Sequence, residues 1–469
     1  MISDKVKQQL IAIVSHDNYD DSKAGRLVYS YDATPQFQSL PDAVIAPRNT
    51  NEVAAIVKIC NEHRIPIIPR GSGTNLCAGT CPVEGGIVLL FKHMNNILEI
   101  DEENLTVTVQ PGVITLDLIK AVEAKGLFYP PDPSSMKIST IGGNINENSG
   151  GLRGLKYGVT RDYVMALEVV LANGEVIRTG GKLAKDVAGY DFTRLFVGSE
   201  GTLGIVTEAT LKLIPMPETK KTALALYEDL EAAARSVSKI IANKIIPATL
   251  EFLDKPTLEV VEDYARIGLP TDVNAVLLME QDGPPEVVER DMKRMVEICQ
   301  EEKAIVQIAR SEAEADALRT ARRSALSALA RLKPTTILED ATVPRSEIAK
   351  MVKAINEIAQ KYNVKICTFG HAGDGNLHPT CPTDARDREE MERVEKAFEE
   401  IFAKAIELGG TITGEHGVGA MKAPYLEWKL GKAGIEAMKA VKQALDPNGI
   451  MNPGKIFAKN DRKRVVVTR

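Results

Sequence analysis

The sequence has no CxxC run, no GxGxxG between a strand and a helix, no apolar run near membrane-spanning length, and no surplus of positive charge. Each absence closes off a class of function. Without CxxC, an iron–sulfur cluster held by this chain alone is not expected. The six cysteines in 469 residues are too few for a disulfide framework, and Cys77 and Cys81 in CxxxC spacing read as ordinary reduced thiols. A net charge of −6 argues against a nucleic-acid partner, which requires a basic face. No stretch is long enough to be a transmembrane segment. Met1-Ile-Ser-Asp-Lys lacks the apolar core of a signal peptide. The expected location is therefore cytoplasmic, either free or peripheral at a membrane. The missing GxGxxG removes the Rossmann dinucleotide fingerprint.

Glycine is abundant in three places. Ser139 to Gly158 reads STIGGNINENSGGLRGLKYG, with six glycines and three asparagines. Glycine lets backbone amides approach a ligand closely, because no Cβ intervenes. Oriented N–H dipoles with short neutral Asn, Ser and Thr arms suit a phosphate or pyrophosphate. A flexible polar loop is the plainer alternative. A second loop, Arg70-Gly-Ser-Gly-Thr-Asn75, follows the apolar strand Ile67-Ile-Pro69. A third runs Phe196-Val-Gly-Ser-Glu200-Gly-Thr-Leu-Gly204-Ile205. Three such loops imply one extended ligand gripped from several sides.

From Pro41 to Pro215 this pattern resembles the flavin domain of the vanillyl-alcohol oxidase superfamily, the p-cresol-methylhydroxylase-like (PCMH) type. The resemblance implies that these loops cradle FAD. The implied contacts are Arg70, Gly71, Ser72, Gly73, Thr74, Asn75, Pro133, Thr140, Gly143, Asn144, Asn148, Gly151, Tyr157, Gly158, Glu200, Gly204 and Ile205. They are joined by Asn452 in the closing Asn452-Pro-Gly-Lys motif. Relatives with a covalent flavin often carry a histidine after the first glycine loop. Thr74-Asn75-Leu76 stands here, so FAD is expected without a covalent link.

Hydrophobic periodicity orders the chain. Residues 4–15 form an amphipathic helix. Thr50 is the expected N-cap of a helix burying Val53, Ile56, Val57 and Cys60. Strands are expected at 87–91 and 105–110, a helix at 116–125, and a hairpin around Asn173-Gly174. After Pro217, two strand–helix–strand units, 223–253 and 275–309, suggest a ferredoxin-like domain. Helices follow near 312–331, 346–362, 388–408 and 434–445. The expected fold class is α+β. A two-part PCMH-type FAD-binding domain precedes a ferredoxin-like α+β substrate (cap) domain and a C-terminal helical segment returning to the flavin. The boundaries are 1–40 for a helical lead-in, 41–217 for the FAD domain, 218–420 for the cap and 421–469 for the last segment. The basic tail Lys459-Asn-Asp-Arg-Lys-Arg464 reads as a solvated end or as a contact for a membrane or partner.

Three of the six histidines fall in two short segments. These are Gly370-His371-Ala-Gly-Asp-Gly-Asn-Leu-His378 and Gly414-Glu415-His416-Gly. Each is a strand running into a glycine turn. Two imidazoles and one carboxylate suffice for a divalent ion with an open position. His16, His63 and His93 have no such company and read as surface or packing residues.

These segments resemble the FAD-dependent D-2-hydroxyacid dehydrogenases over about residues 28–457. That family includes glycolate oxidase, D-lactate dehydrogenase and D-2-hydroxyglutarate dehydrogenase. The resemblance implies that His371, His378 and Glu415 bind a divalent metal, with zinc expected, and that His416 is the catalytic base. It implies an arginine for the substrate carboxylate, best aligned on Arg322, with Arg319 and Arg323 as alternative registers. A solvated helix face is the plainer reading of that arginine. Ala317-Leu318 replaces the usual aromatic. Leu338 stands where hydroxyglutarate enzymes have a lysine, which favours a short monocarboxylate such as glycolate or D-lactate. The expected reaction oxidises a D-2-hydroxy acid to its 2-keto acid, with hydride passing to flavin N5 and electrons to a quinone, an electron-transferring flavoprotein or an iron–sulfur protein. The chain is expected as a homodimer or part of a hetero-oligomer. Rival readings are a D-2-hydroxyglutarate dehydrogenase, a flavin-free metal-dependent hydrolase and a non-catalytic flavin-binding subunit.

Overall fold

A helix forms over Asp4–Val14 because Ser3 caps it and Val6, Leu10 and Val14 fall on one stripe. That stripe packs on the helix Thr50–His63 through Val53, Ile56, Val57 and Cys60, above Ile45, Ile67, Ile87 and Leu89. The computed structural model describes residues 2–457; the basic tail from Lys459 lies outside them. The chain divides into two units. Among the described residues the first comprises 2–149, 159–216 and 415–457, and the second 150–158 and 217–414.

The first unit holds two main sheets. In one, Ala43–Ile45, Ile87–Leu90 and Ile67–Arg70 run parallel, with Tyr19–Asp20 antiparallel at one edge. The other is antiparallel, in the order Ile97–Asp101, Thr106–Val109, Ile205–Lys212, Val164–Val170, Val176–Gly180. The last two strands form the expected hairpin, with Gly174 at φ +78° in its turn. One expected cap is corrected. Asn49, not Thr50, caps the helix Thr50–His63, its Oδ1 accepting from Glu52 N at 3.0 Å. Thr50 is the first helical residue, and its hydroxyl donates to Glu168 Oε1 at 2.6 Å.

The glycine-rich stretch is not an open loop. Ile141–Glu147 is helical, capped by Thr140 and ended by Asn148 in the left-handed conformation. Ile141 and Ile145 are buried, which anchors one face. Gly142 lets this helix lie against Pro111, where a Cβ would come within 2.6 Å of the Pro111 side chain and 2.9 Å of its carbonyl oxygen. The segment Gly150–Gly158 belongs to the second unit.

The second unit is built on one antiparallel sheet. Its first four strands are ordered Ile305–Ile308, Thr219–Tyr227, Ala275–Gly283, Thr249–Asp254. Numbered along the chain this is 4-1-3-2, the split βαβ arrangement of a ferredoxin-like domain. Helices Leu230–Ala242 and Pro285–Glu301 pack on it. The sheet then continues past the expected edge with Cys367–His371, Asn376–Thr383 and Thr335–Leu338. A further helix over Lys255–Ala265 is not evident from periodicity. The helix expected over 312–331 is two, Glu312–Arg323 and Ala325–Leu329, parted at Ser324, whose hydroxyl donates to Ala321 O. Among the described residues no helix is long and apolar enough to cross a membrane.

Asp254 ties two of these elements together. Its carboxylate accepts from Thr257 N and Oγ1, capping the helix, and from Thr368 N on the next strand. Burial pushes its carboxyl up to about 6, against the pull of those donors. An unfolded aspartate titrates near ~3.9. Between those values the folded chain keeps a proton that the unfolded chain has lost, so this contribution to stability is full below about pH 4 and is lost as pH rises through about 6.

Two outcomes are expected. The melting temperature of the wild type relative to Asp254→Asn should be higher near about pH 4 than near about pH 7; a difference independent of pH would refute the assignment. Gly142→Ala should lose about 1–3 kcal/mol in denaturant unfolding, because the helix must move off Pro111. An unchanged midpoint would show that the close approach is not needed.

Candidate functional site

In the first unit the Ser139–Ser149 part of the first glycine-rich stretch, the other two glycine loops and the C-terminal return converge. Gly71 lies against Thr140, where a Cβ would meet Oγ1 at 2.1 Å. Gly198 N donates to Ile145 O, Glu200 N to Asn146 O and Gly201 N to Asn146 Oδ1, each at 2.9 Å. The chain then returns: Ile67 N donates to Ile450 O and Asn452 N to Ile67 O. Asn452 is 2% exposed, and its Nδ2 donates to Gly79 O at 2.9 Å and Glu200 O at 2.7 Å. One side chain therefore staples the loop after the strand Ile67–Arg70 to the third glycine loop.

Other expected cofactor residues take up different positions. Arg70 Nη1 donates to Tyr31 O at 2.7 Å, with the guanidinium 5.4 Å from the Tyr29 ring. Gly73, at φ +70°, leaves room for that side chain. Asn75 donates to Asp32 and Thr80. Ser72 is exposed, Thr74 is half-buried and Pro133 is buried. Thr140 caps the helix through Gly143 N, and Asn144 donates to Thr115 Oγ1. Asn148 Oδ1 accepts from Arg161 N. Gly204 packs on Val169, and Ile205 opens a buried strand. Gly151, Tyr157 and Gly158 lie in the second unit, where Tyr157 Oη donates to Asp282 Oδ2 at 2.8 Å.

Glu200 does more than line a loop. At φ +54°, its carboxylate accepts from Val418 N and Gly419 N, each at 2.7 Å. These bonds fix the turn that follows Glu415 and His416. Gly419 is required there, since a Cβ would lie 1.9 Å from Cys77 O. Glu147 and Cys77 stand beside Glu200. Burial, and next the charge of Glu200, push the Glu147 carboxyl well above the usual range.

In the second unit one sheet face gathers the chemistry. Antiparallel pairing sets Phe369 opposite His378 and His371 opposite Asn376. Side chains two apart on a strand share a face, so His371 and Phe369 point the same way. The His371 and His378 rings are 5.1 Å apart at 88°, and both residues are buried. On the neighbouring strand, Glu251 has no exposed surface. Its Oε1 is 2.6 Å from His371 Nδ1 and its Oε2 2.5 Å from Arg322 Nη2. The Arg322 guanidinium lies 4.9 Å from the Phe369 ring centre, and its Nε–H is buried with no hydrogen-bond partner among the described residues. Burial acts to raise the Glu251 carboxyl, but Arg322 and His371 overcome it and hold it below the usual carboxylate range.

The neighbouring arginines differ. Arg319 is committed to Glu280 and Glu312. Arg323 is half-buried one step further on. Asp340, also fully buried, accepts from Thr413 Oγ1, Gly414 N and Asn376 Nδ2. Sequence pattern does not single out Glu251 or Asp340. The available signal is a lone acid in an apolar run, Ala248-Thr-Leu-Glu251-Phe-Leu, every residue of which is buried.

Both expected groups fit. The glycine loops form a cradle closed by the Asn452 staple, and Asn452 Oδ1 is buried with no hydrogen-bond partner among the described residues, which suits a donor on a bound nucleotide. The His371 Nδ1–H bonded to a carboxylate leaves Nε2 as a lone-pair donor, the arrangement typical of a metal-ligating histidine.

A glycine-lined cradle without a Rossmann fingerprint, in one chain with a ferredoxin-like sheet, defines a flavin-binding oxidoreductase of the p-cresol-methylhydroxylase fold. The solved structure of p-cresol methylhydroxylase with substrate bound superposes with a TM-score of 0.81 at 19% identity, over 97% of this chain and 96% of that one. Residues 41–180 match the FAD binding domain and residues 216–456 the FAD linked oxidases, C-terminal domain. The chain is 77% identical over 470 residues to glycolate oxidase subunit GlcD of Bacillus subtilis (strain 168), covering 100% of both. It is 40% identical over 436 residues to a D-lactate dehydrogenase of Anaerostipes hadrus, covering 89% of this chain and 90% of that one. The chain belongs to the FAD-linked oxidases, and it is an FAD-dependent oxidoreductase.

Asn452→Ala would leave the Gly79 and Glu200 carbonyls buried without their donor, at about 1–3 kcal/mol each. Its melting temperature should fall both with and without added FAD. A wild-type melting curve in both states would refute the staple.

Proposed function

We propose that this chain oxidises a short D-2-hydroxy acid, glycolate or D-lactate, to the 2-oxo acid. The observation that carries this reading is the buried face on which Glu251 orients His371 beside His378, with the Arg322 guanidinium over Phe369. Arg322 is the proposed carboxylate receptor. Its Nε–H has no partner among the described residues, and a planar fork suits a bidentate carboxylate. Arg319 is saturated by acids and is set aside. His371, His378 and Glu415 are the proposed ligands of a divalent cation, with zinc expected from two imidazoles and a carboxylate. His416 is proposed to accept the hydroxyl proton, on a turn that Glu200 keeps in place. Non-covalently bound FAD supplies the two-electron acceptor, and the cation supplies Lewis acidity toward the hydroxyl.

The apolar, buried Leu338 supports a monocarboxylate, since it offers no charge to a second carboxylate. The Bacillus relative is called a subunit, which supports a chain that works with others and passes its electrons to a protein or quinone acceptor.

The test is dye reduction by the purified holoenzyme across D- and L-2-hydroxy acids. Glycolate or D-lactate should be the best substrates; if neither reduces the flavin, the reading fails. His378→Ala should lose metal and turnover while keeping its flavin spectrum. His416→Ala should lose about 10²–10⁴-fold in turnover and keep its metal. Near-normal turnover in either variant would remove the corresponding role.

A further inference from the structure

Glu251 faces two groups at once. It is wholly buried, and its two oxygens are not equivalent. Oε1 meets His371 Nδ1 at 2.6 Å, and Oε2 meets Arg322 Nη2 at 2.5 Å. His371 and Arg322 come from different elements, a strand and a helix. We infer that Glu251 is a positioning residue shared by the two, which fixes the His371 tautomer with one oxygen and tethers the Arg322 fork with the other. This rests on the reading of His371 as a cation ligand and Arg322 as the carboxylate receptor.

The chemistry of each half differs. A carboxylate on Nδ1–H keeps Nε2 as the donor and raises its basicity; losing such a partner typically costs about 10–100-fold in metal affinity. At Arg322 the carboxylate neutralises a guanidinium that is 3% exposed and would otherwise be an uncompensated buried charge. The same negative charge opposes a second carboxylate brought to that guanidinium. Glu251 therefore strengthens cation binding, holds the fork in one place, and weakens the ground-state grip on the substrate carboxylate.

Glu251→Gln keeps the shape and removes the charge, and two quantities are read on the FAD-loaded protein. Zn²⁺ affinity, from equilibrium dialysis with Zn²⁺ alone, should fall about tenfold or more. At saturating Zn²⁺, KM for glycolate or D-lactate should fall about threefold or more as the repulsion is relieved. At the same time kcat should drop, because the fork is no longer held. A residue that merely supports packing would not lower KM. Unchanged Zn²⁺ affinity overturns the His371 half, and an unchanged or raised KM overturns the Arg322 half; either outcome ends the shared role. If Glu251→Gln does not accumulate as folded flavoprotein, Glu251→Asp withdraws the carboxylate by one methylene and cannot serve both partners. Wild-type values for both quantities in that variant would overturn the inference. Wild-type controls keep the underlying reading separate, for it fails on its own if the wild type binds no Zn²⁺ or oxidises neither acid.

Discussion

A carboxylate with no exposed surface persists only where positive or donating partners surround it, and the second unit is arranged around that constraint at Glu251. Desolvation of such a group costs several kcal/mol in real proteins, and here the charge of a close guanidinium and the contact with the His371 ring offset it. The partners must arrive from outside the strand, because its own neighbours are apolar. The sheet supplies His371 by extending beyond the four ferredoxin-like strands, and the helix Glu312–Arg323 supplies Arg322. The extension is thus what turns a common α+β scaffold into a site.

The first unit answers a different constraint. A nucleotide held without a Rossmann turn needs backbone from several places brought close together, and close backbone needs absent side chains. Gly71 against Thr140, Gly142 against Pro111 and Gly204 against Val169 meet that need at three separate contacts. The Asn452 amide and the Glu200 carboxylate then satisfy groups that such crowding would leave buried and unpaired.

Much of this was legible in the sequence. The two strand–helix–strand units, the hairpin at Asn173-Gly174 and the helix Leu230–Ala242 follow from periodicity and turn chemistry, which are local. The paired histidine segments stood out because so few histidines occur elsewhere. What stayed hidden depends on tertiary partners. Ile141–Glu147 is helical although two glycines weaken it, because Ile141 and Ile145 are buried and Thr140 caps it. Glu251 gave only the faint sign of an acid among apolar neighbours, Asp340 beside Glu339 gave none, and the partners of both lie far along the chain. Arg70 and Asn75 also have partners that no local pattern announces, since their side chains hold Tyr31 and Asp32 from some forty residues upstream.

The return of the chain at Asn452 also bears on synthesis. The parallel sheet of the first unit acquires its bonds to Ile67 only from residues 450–452, some 380 positions after that strand. A ribosome releases residues from the N-terminus onward, and domains fold as their residues emerge. All the described strands of the second unit have emerged by Thr383. The flavin-binding unit is still missing its closing segment at that point. The nucleotide cradle is consequently completed after the sheet of the second unit, so its glycine loops wait, unstapled, until residues 450–452 have emerged.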